Sequence, residues 1–211
     1  NAIVLDVKVG DGAFMKSIED ARTLAGAMLE LGRRADRRVV CEVTDMNQPL
    51  GQAVGNALEI REAIATLRGQ GPADLTELSV ASAAHLVMLC DGGDLSDTRA
   101  RISATLDDGS ALEAYDRWVR AQGGNPDEDA LPQAPVVREV TASRDGAVAR
   151  PGALAVGMAS VHLGAGRAVK DAPIDHAVGI VCQAKRGDPV EQGEVLAEIH
   201  ARDDASADAA V

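Results

Sequence analysis

The stretch that decides the fold is AIVLDVKVGDGAFMKSIEDARTLAGAMLELGRRADRRVVCEVT, residues 2–44. It begins with a run rich in Val, Ile and Leu over residues 2–9, which predicts a short buried strand. Ser17, followed by the acid Asp20 three positions later, predicts the start of an amphipathic helix. Residues 39–44 predict a second strand. Strand, helix and strand in this order predict a βαβ unit with parallel strands and a right-handed crossover.

The chain then continues with a loop and a run of helices. Residues 45–55 contain a proline and two glycines and are expected to form a loop. Apolar spacing predicts one helix from Asn56, one over residues 76–90, one from about Ser96 and one from Ser110. Residues 1–124 are therefore predicted to be part of a mixed α/β domain with helices.

The composition changes after this region. Residues 125–135, NPDEDALPQAP, are rich in proline and acidic groups and are predicted to be a domain linker. Short β-forming runs with frequent glycines follow, which predict a small β-rich α+β domain, barrel-like, over residues 136–211. The last eleven residues have low hydrophobicity, and we expect them to fray.

Charge and cysteine content limit the classes of partner. The net charge is −12, from 21 basic and 33 acidic residues, so binding to nucleic acid or to an anionic membrane surface is not expected. No apolar run is expected to approach the ~20 residues of a membrane span. Cys41, Cys90 and Cys182 have neither disulfide nor metal-site spacing. They are predicted to be buried, reduced thiols of a cytoplasmic protein.

Four stretches carry a resemblance to a known family. Residues 6–15 (DVKVGDGAFM) and 44–63 (TDMNQPLGQAVGNALEIREA) resemble signature segments of the pyrimidine-nucleoside and thymidine phosphorylases. Residues 141–146 (TASRDG) resemble the entry to that family's C-terminal domain, and residues 163–179 (LGAGRAVKDAPIDHAVG) are similar to a stretch in the middle of it. Because the matches occur in order over nearly the whole chain, the sequence looks like the C-terminal half of such an enzyme.

The resemblance implies a function and a set of partners. Family members are cytoplasmic homodimeric pentosyltransferases of nucleoside salvage. They use phosphate as co-substrate to cleave thymidine or uridine into a base and a pentose 1-phosphate. The family's phosphate loop and its base-holding residues precede the segment that matches Asn1. Catalytic residues are therefore expected upstream of Asn1, and the chain alone is expected to be inactive. The alternative is a non-catalytic binding or assembly module that pairs with a separate N-terminal polypeptide.

The resemblance also implies two sites within this chain. Phe14 would wall the pyrimidine, and the alternative is that its ring anchors the loop in the core. A potassium ion would be held by the backbone carbonyls of Leu50 and Ala53 and by the carboxylate of Glu62. Oxygen ligands with one negative charge suit a monovalent cation. The alternative for Glu62 is a cap or a salt bridge with Arg61 or another neighbour.

Several charged or glycine-bearing positions remain open from the residues alone. Asp6 and Lys8 alternate along a strand and share a face, which indicates a salt bridge or a role near the sugar or phosphate. Gly10 and Gly12 do not complete a dinucleotide fingerprint, and a phosphate nest stays open as an alternative. His85 is predicted to be a satisfied core or interface histidine.

Lys185 lies in a segment that resembles half of a biotinyl/lipoyl barrel, residues 178–201. A carrier lysine sits at a hairpin tip with characteristic flanking residues, and Lys185 lacks those flanks. A structural use is therefore expected over a carrier use.

Overall fold

The described part of the chain is residues 2–167 and 169–211 of a computed structural model. Its elements are, in order, β1 (Ala2–Val9), α1 (Ile18–Arg34), β2 (Arg38–Asp45), β3 (Ala53–Val54), α2 (Asn56–Leu67), α3 (Ala73–Asp91), α4 (Leu95–Asp107), α5 (Ser110–Ala121), a 3-10 turn (Glu128–Ala130), β4 (Val136–Thr141), β5 (Gly146–Ala147), α6 (Ala153–Leu163), β6 (Gly179–Cys182), β7 (Pro189–Val190), β8 (Val195–Ala201) and α7 (Asp204–Ala210).

The βαβ unit is confirmed. β1 and β2 pair in parallel along their whole length. α1 begins after Ser17, whose hydroxyl accepts a hydrogen bond from the backbone N–H of Asp20 at 3.1 Å. The helix packs Ala21 and Ala25 against Val7 on one face of the two strands. Among the described residues no further strand pairs with β1 or β2, and only Val9 at the end of β1 forms a single bridge, with Met15. Each strand therefore has one edge without a partner strand.

Helices α2 to α5 follow, and α3 packs against α4 and the second face of the β1–β2 sheet. Among the described residues α3 alone is long and apolar enough to cross a membrane, judged by length and composition only. The expectation that no apolar segment approaches that length is therefore wrong. Core helices of soluble proteins share this length and composition.

The C-terminal part is built on a four-stranded antiparallel sheet with the order β3-β6-β8-β4. β5 and β7 form a separate two-stranded ribbon. The core under the four-stranded sheet contains Val178, Ile180 and Ile199, together with Leu163 of α6 and Ala207 of α7. The predicted fold class, a mixed α/β region followed by a β-rich α+β region, is confirmed.

The last residues form a helix, so the expectation that they fray is wrong. Asp203 and Ser206 make a capping box at the start of α7, and Ala207 is completely buried. Arg138 of β4 binds Asp204 at 2.8 Å and also pairs with Asp208 one turn later. The helix packs through small alanines, which contribute little to a hydrophobicity scale, and the sequence therefore looked too polar to be ordered.

The two parts of the chain meet at β3, which lies in the segment predicted as loop and pairs with β6. Gly55 and Gly179 make this contact close: a Cβ on Gly55 would lie 2.6 Å from the carbonyl oxygen of Val178. Residues 125–135 contain the 3-10 turn. They accept hydrogen bonds from Arg61 in α2 and from Arg68, which directly follows α2. The division at residues 124 and 136 stays a prediction.

Candidate functional site

The loops that follow β1 and β2 lie side by side. The N–H of Met46 donates to the carbonyl of Val9 at 2.7 Å, and the N–H of Gly12 donates to the carbonyl of Met46 at 2.9 Å. Both loops are at the carboxyl ends of parallel strands, the edge at which α/β proteins bind ligands. This edge is therefore the candidate functional site.

The loop of residues 10–13 uses its amides internally. Gly10 donates to Met15 at 3.0 Å, and Asp11 donates to the side chain of Asn47 at 3.1 Å. Gly12 and Ala13 donate to other carbonyls of the two loops. A phosphate nest needs amides without partners, so the nest hypothesis is wrong for this conformation.

Asp11 connects this loop to the C-terminal part. Its carboxylate accepts a hydrogen bond from the N–H of Leu154 at 3.3 Å and one from Arg150 at 2.6 Å. Leu154 is in the first turn of α6, where Gly152 provides no side-chain cap. The Leu154 amide, and then the Arg150 guanidinium, hold the pKa of Asp11 below its usual range. Asp11 therefore caps a helix in another part of the chain.

Phe14 lies on the surface and is 98 % exposed. The alternative that its ring anchors the loop in the core is therefore wrong. The ring lines a cleft of about 560 Å³ together with Asp6, Lys8 and Met46. A free aromatic face beside a cleft suits stacking on a planar ligand.

Asp6 and Lys8 form the predicted ion pair, with Nζ of Lys8 at 2.7 Å from Oδ2 of Asp6. Thr44 of the neighbouring strand donates a hydrogen bond to Asp6. Among the described residues the ammonium of Lys8 has no partner other than this carboxylate. The pair is therefore held by charge, and Lys8 keeps donor capacity for a further acceptor.

The prediction that His85 is satisfied is confirmed, because its Nδ1 lies 2.7 Å from Oε1 of Glu42. Ser82, one turn earlier on α3, donates to the other oxygen of the same carboxylate. Glu42 is the register partner of Asp6. Two carboxylates thus lie next to each other on the α3 face of the sheet, each with its own partners. No motif or residue spacing pointed to Glu42 or Ser82.

A second cleft at the same edge is basic. It has a volume of about 520 Å³ and is lined in part by Lys16, Arg22 and Arg186. Lys16 donates to the carbonyl of Asp11 at 2.9 Å, and Arg186 lies 3.5 Å from Asp45. Its cations are thus partly engaged by the protein itself.

The residues that the resemblance assigns to potassium lie on one loop–helix unit. Oε1 of Glu62 accepts the N–H groups of Gln52 and Ala53 at 2.7 and 2.8 Å. Arg61 instead binds carbonyls of the segment 125–135, so a Glu62–Arg61 salt bridge is wrong. The carboxylate also abuts Gly51, where a Cβ would overlap with it. Glu62 therefore holds the loop by its backbone.

The carbonyl of Ala53 is turned away from the C-terminal sheet. The carbonyl of Gln52 accepts the N–H of Cys182 at 2.8 Å. In an antiparallel pair the hydrogen bonds alternate, so the intervening Ala53 faces away from β6. Among the described residues no hydrogen bond ends on the carbonyl of Leu50. Two carbonyl oxygens and one carboxylate are ligands of the kind that a hard monovalent cation prefers.

Lys185 has the structural use predicted for it. Its ammonium donates to the carbonyls of Pro49, at 2.7 Å, and Gly51, and to Oδ2 of Asp74 at 2.9 Å. Burial raises the pKa of Asp74. The Lys185 ammonium and the amides of Leu75 and Gly51 lower it by more, so the pKa of Asp74 is below its usual range. The sequence did not connect Lys185 with this loop, because Gly51 and Pro49 lie 134 and 136 residues from it in the chain.

The other candidate residues add no site. Within residues 2–167 and 169–211 no group of three His, Cys, Asp or Glu side chains could hold a metal ion. All three thiols are free. Cys182 is buried as predicted, and burial raises the pKa of its thiol. Cys41 is only half-buried and Cys90 is exposed, so the prediction of a buried thiol is wrong for these two.

Comparison with known families decides the relationship. Residues 1–112 match the family described as "Glycosyl transferase family, a/b domain". The chain belongs to this family. Residues 147–211 match the "Pyrimidine nucleoside phosphorylase C-terminal domain". The predicted resemblance to the pyrimidine-nucleoside phosphorylase family is thereby confirmed.

Curated relatives agree with these matches. A pyrimidine-nucleoside phosphorylase of Geobacillus stearothermophilus is 46% identical over 205 residues, which cover 95% of this chain and 47% of the relative. One of Staphylococcus aureus (strain bovine RF122 / ET3-1) is 47% identical over the same shares. The chain thus spans about half the length of the curated relatives it matches.

Proposed function

We propose that this chain is part of a longer pentosyltransferase that cleaves pyrimidine nucleosides with phosphate. The reaction converts thymidine or uridine into the free base and a pentose 1-phosphate. The observation that carries the proposal is 46–47% identity, over 95% of the chain, to proteins named pyrimidine-nucleoside phosphorylase.

Phosphorolysis needs no protein nucleophile, because phosphate itself attacks the sugar. The protein positions the reactants and stabilises charge that develops on the sugar and the departing base. We propose that Phe14 contributes an aromatic wall for the base, which its 98 % exposure beside a cleft supports. The residues that bind phosphate and activate the base are proposed to lie in the other half of the relatives' length.

A direct assay tests this function. We expect the purified 211-residue chain to release no thymine from thymidine with phosphate, since each lost electrostatic contact costs roughly 10²–10³ in rate. A polypeptide extended at its N-terminus to the relatives' full length is expected to release thymine in a phosphate-dependent way. Activity of the short chain above a buffer blank would contradict the division of roles. An inactive extended chain would contradict the proposed activity.

We also propose that Leu50, Ala53 and Glu62 hold a potassium ion in the complete enzyme. The unengaged carbonyl of Leu50, the outward turn of Ala53 and the nearby carboxylate of Glu62 support this assignment. One carboxylate among neutral carbonyls balances a single positive charge better than a double one. The ion would stabilise the loop that follows β2.

Titration of the complete enzyme with potassium tests this site. Glu62→Gln keeps the shape of the side chain and removes its charge, so a higher potassium concentration should be needed for activity or for thermal stabilisation. Glu113→Gln, on the exposed face of α5, is the matched control and should titrate like the wild type. Superimposable titrations of wild type and Glu62→Gln would contradict the assignment.

The complete enzyme is further proposed to be a cytoplasmic homodimer of nucleoside salvage, as the family resemblance implies. Light scattering coupled to size exclusion would give twice the monomer mass for the extended polypeptide. If the extended polypeptide is a stable monomer, the dimer proposal fails without affecting the proposed reaction.

A further inference from the structure

We propose that Lys185 is a positioning residue whose ammonium acts as a built-in cation for residues 49–53, and thereby lets the C-terminal part set the shape of the loop after β2. The proposal concerns the loop itself. Only its consequence for potassium rests on the proposed function.

The ammonium of Lys185 uses all of its hydrogen-bonding capacity. A lysine ammonium has three N–H donors and no acceptor. All three find acceptors here: the carbonyls of Pro49 and Gly51 and the carboxylate of Asp74. The side chain of Lys185 is only 20% exposed. Carbonyl and carboxylate oxygens are also the ligands that bind hard inorganic cations.

The contacts determine which carbonyls remain for another ligand. Lys185 draws the carbonyls of Pro49 and Gly51 to one point, while the carbonyl of Leu50 between them has no hydrogen bond among the described residues. Gly51 adopts a positive φ of 64°, which favours glycine and helps to turn its carbonyl to the ammonium. The Leu50 carbonyl is therefore left available because its two neighbours are engaged.

The backbone at residues 185 and 186 is hydrogen-bonded to both parts of the chain. Its N–H donates to Oδ2 of Asp188 at 2.8 Å, within the turn between β6 and β7. The next residue, Arg186, donates its N–H to the side chain of Gln48 at 2.9 Å. The ammonium thus extends from a hydrogen-bonded turn of the C-terminal part into the loop of the other part. A flexible surface lysine would not direct backbone carbonyls in this way.

Loss of the ammonium would leave a carboxylate and two carbonyls without their cation. An exposed ion pair by itself contributes little. Here the donors also satisfy partly buried backbone groups, and leaving such groups without partners is costly. We therefore expect the loop, and not the fold, to respond first to removal of the charge.

The test measures hydrogen exchange of the backbone amides of Gly51, Gln52 and Ala53 in the 211-residue chain. Lys185→Cys is made in a Cys90→Ser background, so that the exposed thiol of Cys90 does not react. The new thiol is alkylated with 2-bromoethylamine, which rebuilds an ammonium of nearly the same length, or with iodoacetamide, which adds a neutral group. Mass spectrometry verifies a single modification.

We expect exchange at these amides to be about tenfold faster with the neutral group than in the wild type, and to return to within about twofold after aminoethylation. Lys170→Met removes an exposed lysine charge elsewhere and should leave the three amides unchanged. Equal exchange with the neutral and the ammonium-bearing side chain would overturn the proposal, because the charge would then have no role.

Asp74→Asn is an independent second variant in case the cysteine variant does not fold. It keeps an oxygen and removes the charge opposite Lys185. Because Asp74 also accepts the N–H of Gly51, the readout is the amides of Gln52 and Ala53. Their exchange should rise, and an unchanged rate would overturn the proposal. Potassium separates this inference from the proposed site. If potassium does not protect the loop in the extended wild-type polypeptide but the charge dependence on Lys185 persists, the potassium site fails and the positioning role stands.

Discussion

The β1–β2 sheet and the four-stranded sheet differ in how far the described residues complete them. The β1–β2 sheet has two strands, one open edge on each, and charged residues on the face that meets α3. The four-stranded sheet β3-β6-β8-β4 covers a continuous apolar core closed by α6 and α7. Two-stranded sheets are at best marginal in water, whereas three or more strands with a buried face can be independently stable. Stability is therefore expected to concentrate in the C-terminal part.

This contrast explains why the loops at the candidate site are held from the C-terminal side. Asp11 caps α6, Lys185 binds the carbonyls of Pro49 and Gly51, and β3 joins the C-terminal sheet. The less complete sheet carries the residues near the candidate ligand-binding edge, and the more complete sheet supports the loops that follow it. The candidate site and the expected stability thus lie in different regions of one chain.

The largest expected effect comes from the core of the C-terminal sheet. Ile199 is 2% exposed, and Ile199→Ala should lower the free energy of unfolding by about 2–5 kcal/mol through lost burial and a cavity. Ile3→Ala on β1 is the matched control, because Ile3 is 39% exposed and its truncation should cost less than about 1 kcal/mol. Urea unfolding measures both. Equal losses would contradict the contrast between the sheets.

The next effect is at the contact between the two parts. Gly55→Ala should destabilise the chain by at least about 2 kcal/mol, because φ is 144° and the new Cβ would overlap with the carbonyl of Val178. Gly109→Ala is the control, with φ of 79° and no atom within 4 Å, and should cost about 1–2 kcal/mol from backbone strain alone. If thermal unfolding gives the same loss for both, the close approach of β3 and β6 is not present in solution.

A smaller effect concerns acid stability at the Lys185–Asp74 pair. The pKa of Asp74 is lowered in the folded chain, from its ordinary value of 3.8. Its ionisation therefore stabilises the fold above about pH 4, and this contribution disappears as the pH falls through the lower folded pKa. Asp74→Asn should lose less than about 1 kcal/mol near pH 7, since the carboxylate is partly exposed, and the two proteins should converge in acid. A difference that grows below pH 4 would have the wrong sign.

Local sequence patterns predicted the elements whose residues determine them directly. The βαβ unit followed from apolar runs and the Ser17 cap, and both are present. The Asp6–Lys8 pair followed from strand alternation. Each of these depends on residues that are close in the chain or on a regular period.

Features that depend on distant contacts could not be read from the sequence. The strand β3 exists because β6, more than 120 residues later, pairs with it. Helix α7 has few large apolar residues, but Arg138 and a capping box hold it against the sheet. The connection of Lys185 to residues 49 and 51 has no local signal other than a lysine before a Gly-Asp turn. In each case the partner that decides the outcome lies far along the chain.

Native-state hydrogen exchange of the 211-residue chain tests the contrast between the two sheets most directly. Amides of the core strands of a stable unit exchange only through large openings, whereas those of a weakly supported unit exchange through local ones. We predict that amides of Ile180, Cys182 and Ile199 exchange at least about a hundredfold more slowly than those of Leu5 and Val7, corresponding to a stability difference of about 3 kcal/mol. Equal or stronger protection of Leu5 and Val7 would contradict the account.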